Sequence, residues 1–379
     1  MHQKPKKVVL FANTDWYLYN FRFSLARQLV KEGWEVVLAS PPGQYAERLA
    51  REGIRWQPIP FRRRGMRYHQ EFLTLLRLIG FYSREKPDLV HHFTIKPVFY
   101  GSLAARINRV PAVVNSITGL GYFFLSDEDH VARLRRILLP FYRFALAYRR
   151  SRIIFENSVD LGVFLRRSLA HKEQVRLVEG VGVDLERFRP SPETKGDPIV
   201  IMPARMLWDK GVREFVEAAR LIKQKDIKVR FALVGAPDPG NPTTIPEDQL
   251  YRWVQEGVVE WWGHRLDMPD VYQGAHIVAL PSYSEGLATV LLEAAASGRP
   301  IVATDIPGCR EVVKDQVTGY LVDAGYHEGL ARSIETLLKD RDLRLQMGKQ
   351  GREWVKERFS QQAVNQATIE IYNELISPR

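Results

Sequence analysis

One stretch decides the fold more directly than any other, and it reads LPSYSEGLATVLLEAAASG at residues 280–298. An apolar run ends at its first residue, a polar loop follows, and Gly286 leads into a helical segment. A helix that begins there directs backbone N–H groups towards a ligand and favours phosphate. Thr289 and Glu293 are four residues apart, on one face of that helix, and Glu285 lies in the loop. The alternative is an ordinary strand-loop-helix connection with a solvent-exposed Glu293.

The same alternation of short apolar runs and amphipathic segments extends over the rest of the chain. Predicted strands cover residues 8–13, 35–39, 54–58, 88–93, 112–115, 152–156, 199–202, 229–234, 258–262, 276–280 and 300–304. Predicted helices include residues 21–32, 45–52, 70–85 and 212–223, and residues 328–376 are almost entirely helical in pattern. Strands that alternate with helices indicate parallel sheets covered on both faces.

A break in this pattern divides the chain. Residues 189–198, RPSPETKGDP, are rich in proline and charge, which is the composition of a linker. We therefore predict an α/β protein with two Rossmann-like, doubly wound domains, residues 1–190 and 191–358, that face a central cleft. Residues 359–379 are predicted to form a C-terminal helix that packs back on the first domain. Ligands of such sheets bind beyond the carboxyl ends of the strands.

Composition excludes several classes of protein. The 379 residues are 45% hydrophobic and 11% aromatic, too much for a largely disordered chain. Cys309 is the single cysteine, so an intramolecular disulfide and a cysteine-based zinc site are excluded. No apolar segment approaches the roughly 18 residues of a membrane span, and the first residues lack the apolar centre of a signal peptide. We therefore expect a cytoplasmic protein.

Charge is distributed unevenly along the chain. Residues 1–190 hold 32 of the 55 Lys+Arg residues and 17 of the 44 Asp+Glu residues. The formal net charge of +11 therefore combines +15 in these residues with −4 in the remainder. A nucleic acid, an anionic membrane or a phosphorylated substrate could each explain so basic a half.

A second motif, MPARMLWDKG at residues 202–211, follows the first predicted strand of the second domain. Arg205 and Lys210 lie five residues apart there, where both would reach the cleft. Arginine offers a planar fork to phosphate oxygens, and lysine a point charge. Two ordinary surface cations are the alternative, but the positive end of the following helix disfavours them unless an anion lies between.

Together these motifs resemble glycosyltransferase family 4, whose fold is called GT-B. The resemblance rests on Arg205, Lys210 and the two glutamates eight residues apart in residues 285–293. Residues 180–184 (GVGVD), 307–313 (PGCREVV) and 318–322 (TGYLV) support it, so it spans nearly the whole chain. It implies a retaining transfer of a sugar from a nucleotide-sugar, with UDP as the expected nucleotide and no bound metal or other cofactor.

The resemblance also assigns roles to the motif residues. It implies that Arg205 and Lys210 hold the donor diphosphate, and that Glu285 contacts the donor sugar and helps to stabilise the transition state. Glu293 would hold the ribose hydroxyls. The remaining donor-side candidates are Gly286, Leu287 and Ala288, whose N–H groups would cap the sugar or distal phosphate, Thr289, and the residues beside the nucleobase, Gly263, His264 and Leu266.

The first domain has polar stretches after three predicted strands, at residues 13–22, 91–97 and 115–122. Residues 93–97 and 117–121 are similar to the subgroup of the family that extends polyprenyl-diphosphate-linked sugars, which implies such an acceptor. Many family members carry a histidine in the loop that here reads Thr118-Gly119, so no histidine is assigned as a general base. The acceptor-side candidates are Asn20, Arg22, His92, Lys96, Thr118 and Gly119.

A lipid-linked acceptor would account for the basic half. Residues 62–67, RRRGMR, precede one amphipathic segment, and residues 132–150 combine six arginines with leucine, isoleucine and aromatic residues. Basic, aromatic-rich helices of this kind lie in membrane interfaces. The alternative is a core-facing helix with solvated arginines. We expect a peripheral protein at the inner face of the cell membrane.

Three other functions fit parts of this sequence. A nucleotide-sugar epimerase would use the same fold and the same donor residues. A nucleic-acid-binding protein would suit the charge, but no familiar binding motif is present and the second half is acidic, so no nucleic-acid partner is expected. A nicotinamide-dependent dehydrogenase is disfavoured because residues 13–22, after the first strand, contain no glycine.

Overall fold

The computed structural model describes residues 5–61, 68–119, 129–178 and 180–376, so the predictions for residues 62–67 and 120–122 lie outside it. The chain divides into two compact units. One comprises Met1–Val181 with Gln362–Arg379, and the other comprises Gly182–Gln361. Among the helices of the described residues, none has the length and hydrophobicity to span a bilayer.

The first unit is built on a seven-stranded sheet in the order β3-β2-β1-β4-β5-β6-β7. Its strands are β1 (Lys7–Phe11), β2 (Glu35–Ser40), β3 (Arg55–Pro58), β4 (Leu89–Phe93), β5 (Ala112–Ile117), β6 (Ser151–Phe155) and β7 (Val175–Leu177). Its helices are α1 (Asp15–Tyr17), α2 (Phe23–Lys31), α3 (Ala46–Arg51), α4 (Tyr68–Glu85), α5 (Ile95–Ile107), α6 (Asp129–Leu146) and α7 (Ser158–Arg166).

Alternation along β1 shows why both faces of this sheet are covered. Val8 and Leu10 pack in one apolar cluster with α2, and Val9 and Phe11 pack in another with residues of α4. All four side chains are buried. A strand that is apolar on both faces belongs in the middle of a parallel sheet between two helical layers.

The second unit is built on a six-stranded sheet in the order β10-β9-β8-β11-β12-β13. Its strands are β8 (Ile199–Pro203), β9 (Arg230–Val234), β10 (Glu260–Trp261), β11 (Ile277–Leu280), β12 (Ile301–Thr304) and β13 (Gly319–Val322). Its helices are α8 (Val212–Lys223), α9 (Glu247–Gln255), α10 (Met268–Gly274), α11 (Thr289–Ala296), α12 (Pro307–Arg310), α13 (His327–Lys339) and α14 (Arg341–Arg358), and α15 (Gln361–Ile376) ends the chain.

The predicted architecture of two doubly wound, parallel-sheet domains is confirmed, with differences in detail. All strand pairs among the described residues are parallel. Strands β7 and β13 were not predicted, since one has three residues and the other begins at a glycine. The predicted strand at residues 258–262 shortens to two residues. The predicted helix at residues 21–32 begins at Phe23 and follows a π-helical segment, Leu18–Arg22.

The observed division falls before the proline-rich segment rather than within it. Val183 forms a parallel bridge with Ser360, and Phe188 packs in the core of the second unit. Helix α15 packs with the first unit, where the Tyr372 hydroxyl bonds His91 at 2.5 Å and Glu374 pairs with Arg176 at 2.7 Å. The chain therefore leaves the first unit, completes the second, and returns to the first for its last helix.

Each sheet has one point at which the strand order reverses. In the first unit it lies between β1 and β4, and in the second between β8 and β11. The loops that follow two such strands diverge to opposite faces and leave a crevice at the carboxyl ends, where ligands of doubly wound folds bind. The stretches at residues 202–211 and 280–298 follow β8 and β11, so the fold positions both predicted motifs at one reversal.

Candidate active site

In the second unit, the loops after β8 and β11 contact each other directly. The backbone N–H of Tyr283 donates to the Asp209 carbonyl at 2.9 Å, and the Ser282 hydroxyl donates to the same oxygen at 3.3 Å. Gly211 has a φ of +76° and lies so close to Pro281 that a Cβ atom would come within 2.0 Å of its carbonyl oxygen. Only glycine fits this position, and the two loops are fixed as one layer.

Two predicted catalytic residues meet in this layer. Lys210 Nζ lies 2.8 Å from Glu285 Oε1 and donates to the Ser284 carbonyl at 3.4 Å. The Lys210 and Glu285 side chains are 15% and 16% exposed, so the pair is largely buried but still in contact with solvent. The structure thus brings together the cation of one motif and the carboxylate of the other, 75 residues apart in sequence.

Arg205 has a partner that the sequence analysis missed. Its Nη1 donates to Asp238 Oδ2 at 2.6 Å, and its side chain is 51% exposed. Asp238 lies in the loop after β9, beside the reversal point. The approach is close because Gly235 packs on Ala204, where a Cβ atom would lie 1.8 Å from the carbonyl oxygen. The position of Asp238 after a strand adjacent to β8 is the signal that could have found it.

Helix α11 begins at Thr289 beside the Lys210–Glu285 pair, three residues after Gly286, where the sequence predicted its start. Among the described residues, no side chain caps its N-terminus, and Ala288 is the N-cap residue. Leu287 and Ala288 are buried, whereas Gly286 and Thr289 are partly exposed. The first turn of this helix therefore supplies a positive backbone end next to the loop that carries Glu285.

The loop that carries Glu285 rests on a glycine. A Cβ atom at Gly308 would lie 2.5 Å from the Glu285 carbonyl oxygen and 2.8 Å from that of Gly286. These are backbone atoms, which cannot swing aside as a side chain would. Gly308 therefore sets the position of Glu285, a role that the motif at residues 307–313 did not reveal in the sequence.

Glu293 is partly buried rather than solvent-exposed, so the alternative interpretation of this residue is wrong. Its Oε2 accepts a hydrogen bond from the Tyr272 hydroxyl at 2.9 Å. Burial raises the pKa of Glu293 to about 7, and the Tyr272 hydrogen bond and the Arg187 charge offset only part of that effect. A carboxyl group poised near neutrality can accept or release a proton when a ligand binds.

The three predicted nucleobase neighbours follow β10, at the far end of this sheet from β13. The Gly263 carbonyl accepts from the Gly235 N–H at 2.8 Å, which ties this loop to the one that carries Asp238. Gly263 has a φ of +65°, His264 is exposed, and Leu266 is 62% exposed. An exposed leucine beside such a loop is compatible with a stacking or apolar contact to a planar ring.

The predicted site residues of the first unit lie in a different environment. Arg22 is buried, and its Nη2 lies 2.8 Å from the Tyr17 hydroxyl and 3.2 Å from Glu156 Oε1. Its guanidinium also lies 4.5 Å from the centre of the Phe93 ring. Burial raises the pKa of Glu156, while the Arg22 charge opposes that shift. Arg22 is therefore held in an interior ion pair at the reversal between β1 and β4.

His92 is fully buried in the first unit. Its Nδ1 donates to Asn115 Oδ1 at 2.8 Å, and its Nε2 accepts from the Tyr82 hydroxyl at 3.0 Å. Burial lowers the pKa of His92 to about 4, so the ring is neutral. Both ring nitrogens are used within the core, and this geometry does not support the predicted contact of His92 with an acceptor.

The other acceptor-side candidates are more accessible. Asn20 Nδ2 donates to the Trp16 carbonyl at 2.9 Å, and Lys96 Nζ lies 2.6 Å from Glu71 Oε1. Thr118 and Gly119 follow β5 and are partly exposed. Beside them, Thr94 has a φ of +72°, which is unusual for a β-branched residue, and its buried hydroxyl has no hydrogen-bond partner among the described residues. Thr94 was not among the predicted site residues, since backbone strain leaves no mark in composition.

Comparison with known proteins supplies the family. Residues 184–354 match the family model described as glycosyl transferases group 1. Residues 7–157 match the model described as glycosyl transferase 4-like. The chain belongs to glycosyltransferase family 4. The predicted family is confirmed, and each match falls within one of the two units of this glycosyltransferase.

Relatives match along nearly the whole length of the glycosyltransferase. It is 26% identical, over 95% of its chain and 96% of the relative, to the N,N'-diacetylbacillosaminyl-diphospho-undecaprenol alpha-1,3-N-acetylgalactosaminyltransferase of Campylobacter jejuni. A glycosyltransferase structure from Rickettsia africae superposes with a TM-score of 0.81 at 18% identity, over all of both chains. Anabaena HepE in complex with UDP gives 0.77 at 20% identity, over 97% of this chain and all of HepE. The GT-B fold is confirmed.

Within this glycosyltransferase, the second-unit site combines groups that suit a ligand bearing phosphate. Two cations, one carboxylate and a helix N-terminus lie on loops that follow β8 and β11. Preorganised positive groups in a partly buried site stabilise negative charge that develops on a leaving group. The arrangement is thus suited to breaking a bond between a sugar and a phosphate.

Proposed function

We propose that this glycosyltransferase transfers a sugar, an N-acetylhexosamine or a hexose, from a UDP-sugar to a polyprenyl-diphosphate-linked sugar acceptor, with retention of anomeric configuration. The reaction would serve bacterial glycan assembly at the inner face of the cell membrane. The contact between Lys210 and Glu285 at the reversal of the second sheet carries the proposal. The Campylobacter relative, which is named for a diphospho-undecaprenol acceptor, and HepE, which binds UDP, support it.

When the donor binds, Arg205 and Lys210 would exchange their carboxylate partners for its diphosphate. In the structure Arg205 pairs with Asp238 and Lys210 with Glu285, so each cation already has an anionic partner. A diphosphate carries more charge than a carboxylate and accepts several hydrogen bonds, so it competes for both cations. Arg205 is half-exposed and can turn towards it. The N-terminus of α11 adds N–H groups, and Glu293 would accept hydrogen bonds from the ribose hydroxyls.

The chemical step then needs little more than these groups. As the bond between the anomeric carbon and the phosphate oxygen breaks, a hydroxyl of the acceptor sugar bonds to that carbon and passes its proton to the departing phosphate. Negative charge grows on the UDP oxygens, where Lys210 and Arg205 stabilise it. Glu285 would face the sugar carbon, on which positive charge grows. Lys210 and Arg205 would thus perform the charge-stabilising role that a metal ion has elsewhere. We therefore propose that transfer needs no metal, and we expect EDTA to leave the rate unchanged.

Transfer assays with matched lysine variants test the proposal. A panel of UDP-sugars is incubated with a water-soluble, short-chain polyprenyl diphosphate that carries one sugar, and the product linkage is assigned by NMR. Lys210→Ala should lower kcat/KM by roughly 10²–10³-fold, as loss of one preorganised donor does. Lys225→Ala is the matched control, since Lys225 also pairs with a glutamate, Glu335, at 2.6 Å.

The outcomes separate the competing functions. Full activity of Lys210→Ala would remove Lys210 from the site, and inversion at the anomeric carbon would overturn the retaining mechanism. A UDP-sugar stereoisomer formed without acceptor would identify an epimerase instead. Absence of transfer from every UDP-sugar in the panel would overturn the proposed donor class.

A further inference from the structure

Two helices of the first unit expose unusual amounts of apolar surface. Helix α4 exposes Phe72, Leu73 and Leu76, and helix α6 exposes Ile137, Phe141 and Phe144. The exposed fractions of Phe72 and Phe141 are 61% and 56%. Within the described ranges, no other helix exposes three large apolar side chains. Scattered exposed apolar residues are ordinary on a protein surface, but two such groups indicate an interaction site.

Both groups lie beside the same helix, α5, which packs against α4 and α6. Glu71, next to Phe72, pairs with Lys96 in the first turn of α5 at 2.6 Å. The hydroxyl of Tyr142, next to Phe141, donates to the Ile95 carbonyl in the same turn at 2.6 Å. The apolar group of α4 therefore lies beside the end of α5 that follows β4, and the apolar group of α6 extends along α5 from that end to Arg106 in its last turn.

The charge around α6 indicates what this surface meets. The sequence of α6 contains four arginines, at positions 133, 135, 136 and 143, and one acidic residue, Asp129. Arg136 and Arg143 are exposed between the apolar side chains, and Arg149 and Arg150 are exposed just beyond the helix. The Arg106 guanidinium on α5 lies 4.1 Å from the centre of the Phe144 ring. Aromatic and aliphatic side chains interleaved with arginines match an anionic lipid bilayer, where rings enter the acyl boundary and guanidinium groups reach headgroups.

We propose that the exposed side chains Phe72, Leu73, Leu76, Ile137, Phe141 and Phe144, with the exposed arginines of α6, form one docking surface for an anionic bilayer. This inference rests on the proposed function, because a lipid-linked acceptor is presented from a membrane. It adds that the membrane contacts the unit along α5, from its first turn to Arg106 in its last turn. A diphosphate anchored in that bilayer then lies next to the acceptor-side loops after β4 and β5.

Vesicle flotation tests the surface. The probe is a large vesicle of phosphatidylethanolamine with phosphatidylglycerol, and the comparison is a vesicle of phosphatidylcholine alone. The double variant Phe141→Ser with Phe144→Ser should bind the anionic vesicles about tenfold more weakly or worse. Val30→Ser with Tyr251→Ser is the matched control, since these exposed apolar residues lie elsewhere and should leave binding unchanged.

Charge is tested separately from apolar contact. Arg136→Glu with Arg150→Glu should weaken binding to anionic vesicles by about tenfold or more, because each nearby arginine contributes on the order of 1 kcal/mol of attraction, a factor of about five. Lys31→Glu with Arg51→Glu removes the same charge from other exposed positions and serves as the control. Equal binding to neutral and anionic vesicles would overturn the electrostatic part.

Activity on the water-soluble acceptor distinguishes this inference from the proposed function. The Phe141→Ser, Phe144→Ser variant should retain wild-type kcat/KM on that acceptor while it loses vesicle binding. Unchanged flotation would overturn the docking surface and leave the transfer reaction standing. A wild-type mass that doubles with concentration, and is restored to monomer by the phenylalanine variants, would assign the surface to a second copy of the chain and also overturn the proposal. Failure of the wild type on the soluble acceptor would count against the proposed function alone.

Discussion

The two sheets reverse their strand order in the same way, yet the side chains at the two reversals are held very differently. At the first, Arg22 is 4% exposed and its partner Glu156 is 7% exposed. At the second, the Arg205 side chain is 51% exposed and pairs with Asp238 across two loops. One topology therefore supports an interior ion pair in one unit and an accessible cationic site in the other. Position after a strand indicates where a side chain lies, but not whether a ligand can reach it.

Local packing explains the contrast. In the first unit the chain after β1 forms the short helix α1 and a π-helical segment, and aromatic rings of Tyr17 and Phe93 lie against Arg22. In the second unit the chain after β8 remains an extended loop up to a short 3-10 turn, Trp208–Lys210. Aromatic rings cover the guanidinium of Arg22, whereas the glycine-lined loop that carries Arg205 leaves the guanidinium of Arg205 exposed to solvent.

The largest effect should follow from breaking the interior pair. Arg22→Ala leaves the Glu156 carboxylate buried without its cation, and loss of one partner of a buried pair costs about 3–5 kcal/mol. The folded-state pKa of Glu156 is already raised by burial and should rise further in the variant. The folded state then binds more protons than the unfolded state, so the variant loses stability as pH rises above the usual glutamate range. Urea unfolding at pH 5 and pH 8 should show the larger loss at pH 8.

Arg205→Ala is the counterpart at the open site and should change the unfolding free energy by under about 1 kcal/mol, as exposed pairs do.

The double variant Arg22→Ala with Glu156→Gln is the control for the interior pair, and it should recover part of the stability at pH 8, because the buried charge is gone. If the two arginine variants unfold at the same urea concentration, the contrast between the two sites is wrong.

A smaller effect is expected from Glu293, which titrates in the second unit. Its pKa of about 7 in the folded state exceeds its ordinary value of 4.5. The folded state therefore holds an extra proton between these values, and the associated stability is present below pH 4.5 and lost as pH rises through 7. Glu293→Gln removes this loss, so it should be more stable than the wild type at pH 8, by at most about 3 kcal/mol.

Thermal unfolding across pH 5 to 8 measures the Glu293 effect. The wild type should fall below the Gln variant only towards the upper end of this range, because both side chains are neutral near pH 5. Tyr272→Phe provides a control that removes the hydrogen bond to Glu293 Oε2 without changing the carboxyl group. Parallel pH curves for the wild type and the Gln variant would show that Glu293 does not titrate near neutrality.

Apolar periodicity predicted most of the fold, because a strand buried on both faces must be apolar and the helices between must be amphipathic. Strands β1, β4 and β8 and helix α8 were anticipated from this pattern within a few residues. Strand β7 was not predicted because three residues are too few to show an apolar period. The start of the second unit before the proline-rich segment was not predicted, because it depends on the bridge between Val183 and Ser360, which are distant in sequence.

The motifs at residues 202–211 and 280–298 were recognised because each places charge on a loop after a strand, and the structure joins Lys210 to Glu285. The contacts of Asp238 and Tyr272 were not predicted, since both depend on side chains from other elements. His92 was assigned to the acceptor side because it ends a strand, and only the structure shows Tyr82 and Asn115 holding it inside. Spacing identifies the loop, and packing decides which of its side chains remain accessible.

A further effect on activity should come from Gly308, which is not among the predicted site residues. Gly308→Ala places a methyl group 2.5 Å from the Glu285 carbonyl oxygen, so the loop must shift by a fraction of an ångström. Misplacement of a catalytic group lowers the rate even when it is still present, and we expect about a tenfold loss of kcat/KM with a nearly unchanged fold. Gly274→Ala is the matched control, because a methyl group there would meet nothing within 4 Å. Wild-type kcat/KM in Gly308→Ala would mean that the site in the second unit tolerates displacement of Glu285. The accessible loops of that site would then be less preorganised than the interior pair of Arg22 and Glu156 in the first unit.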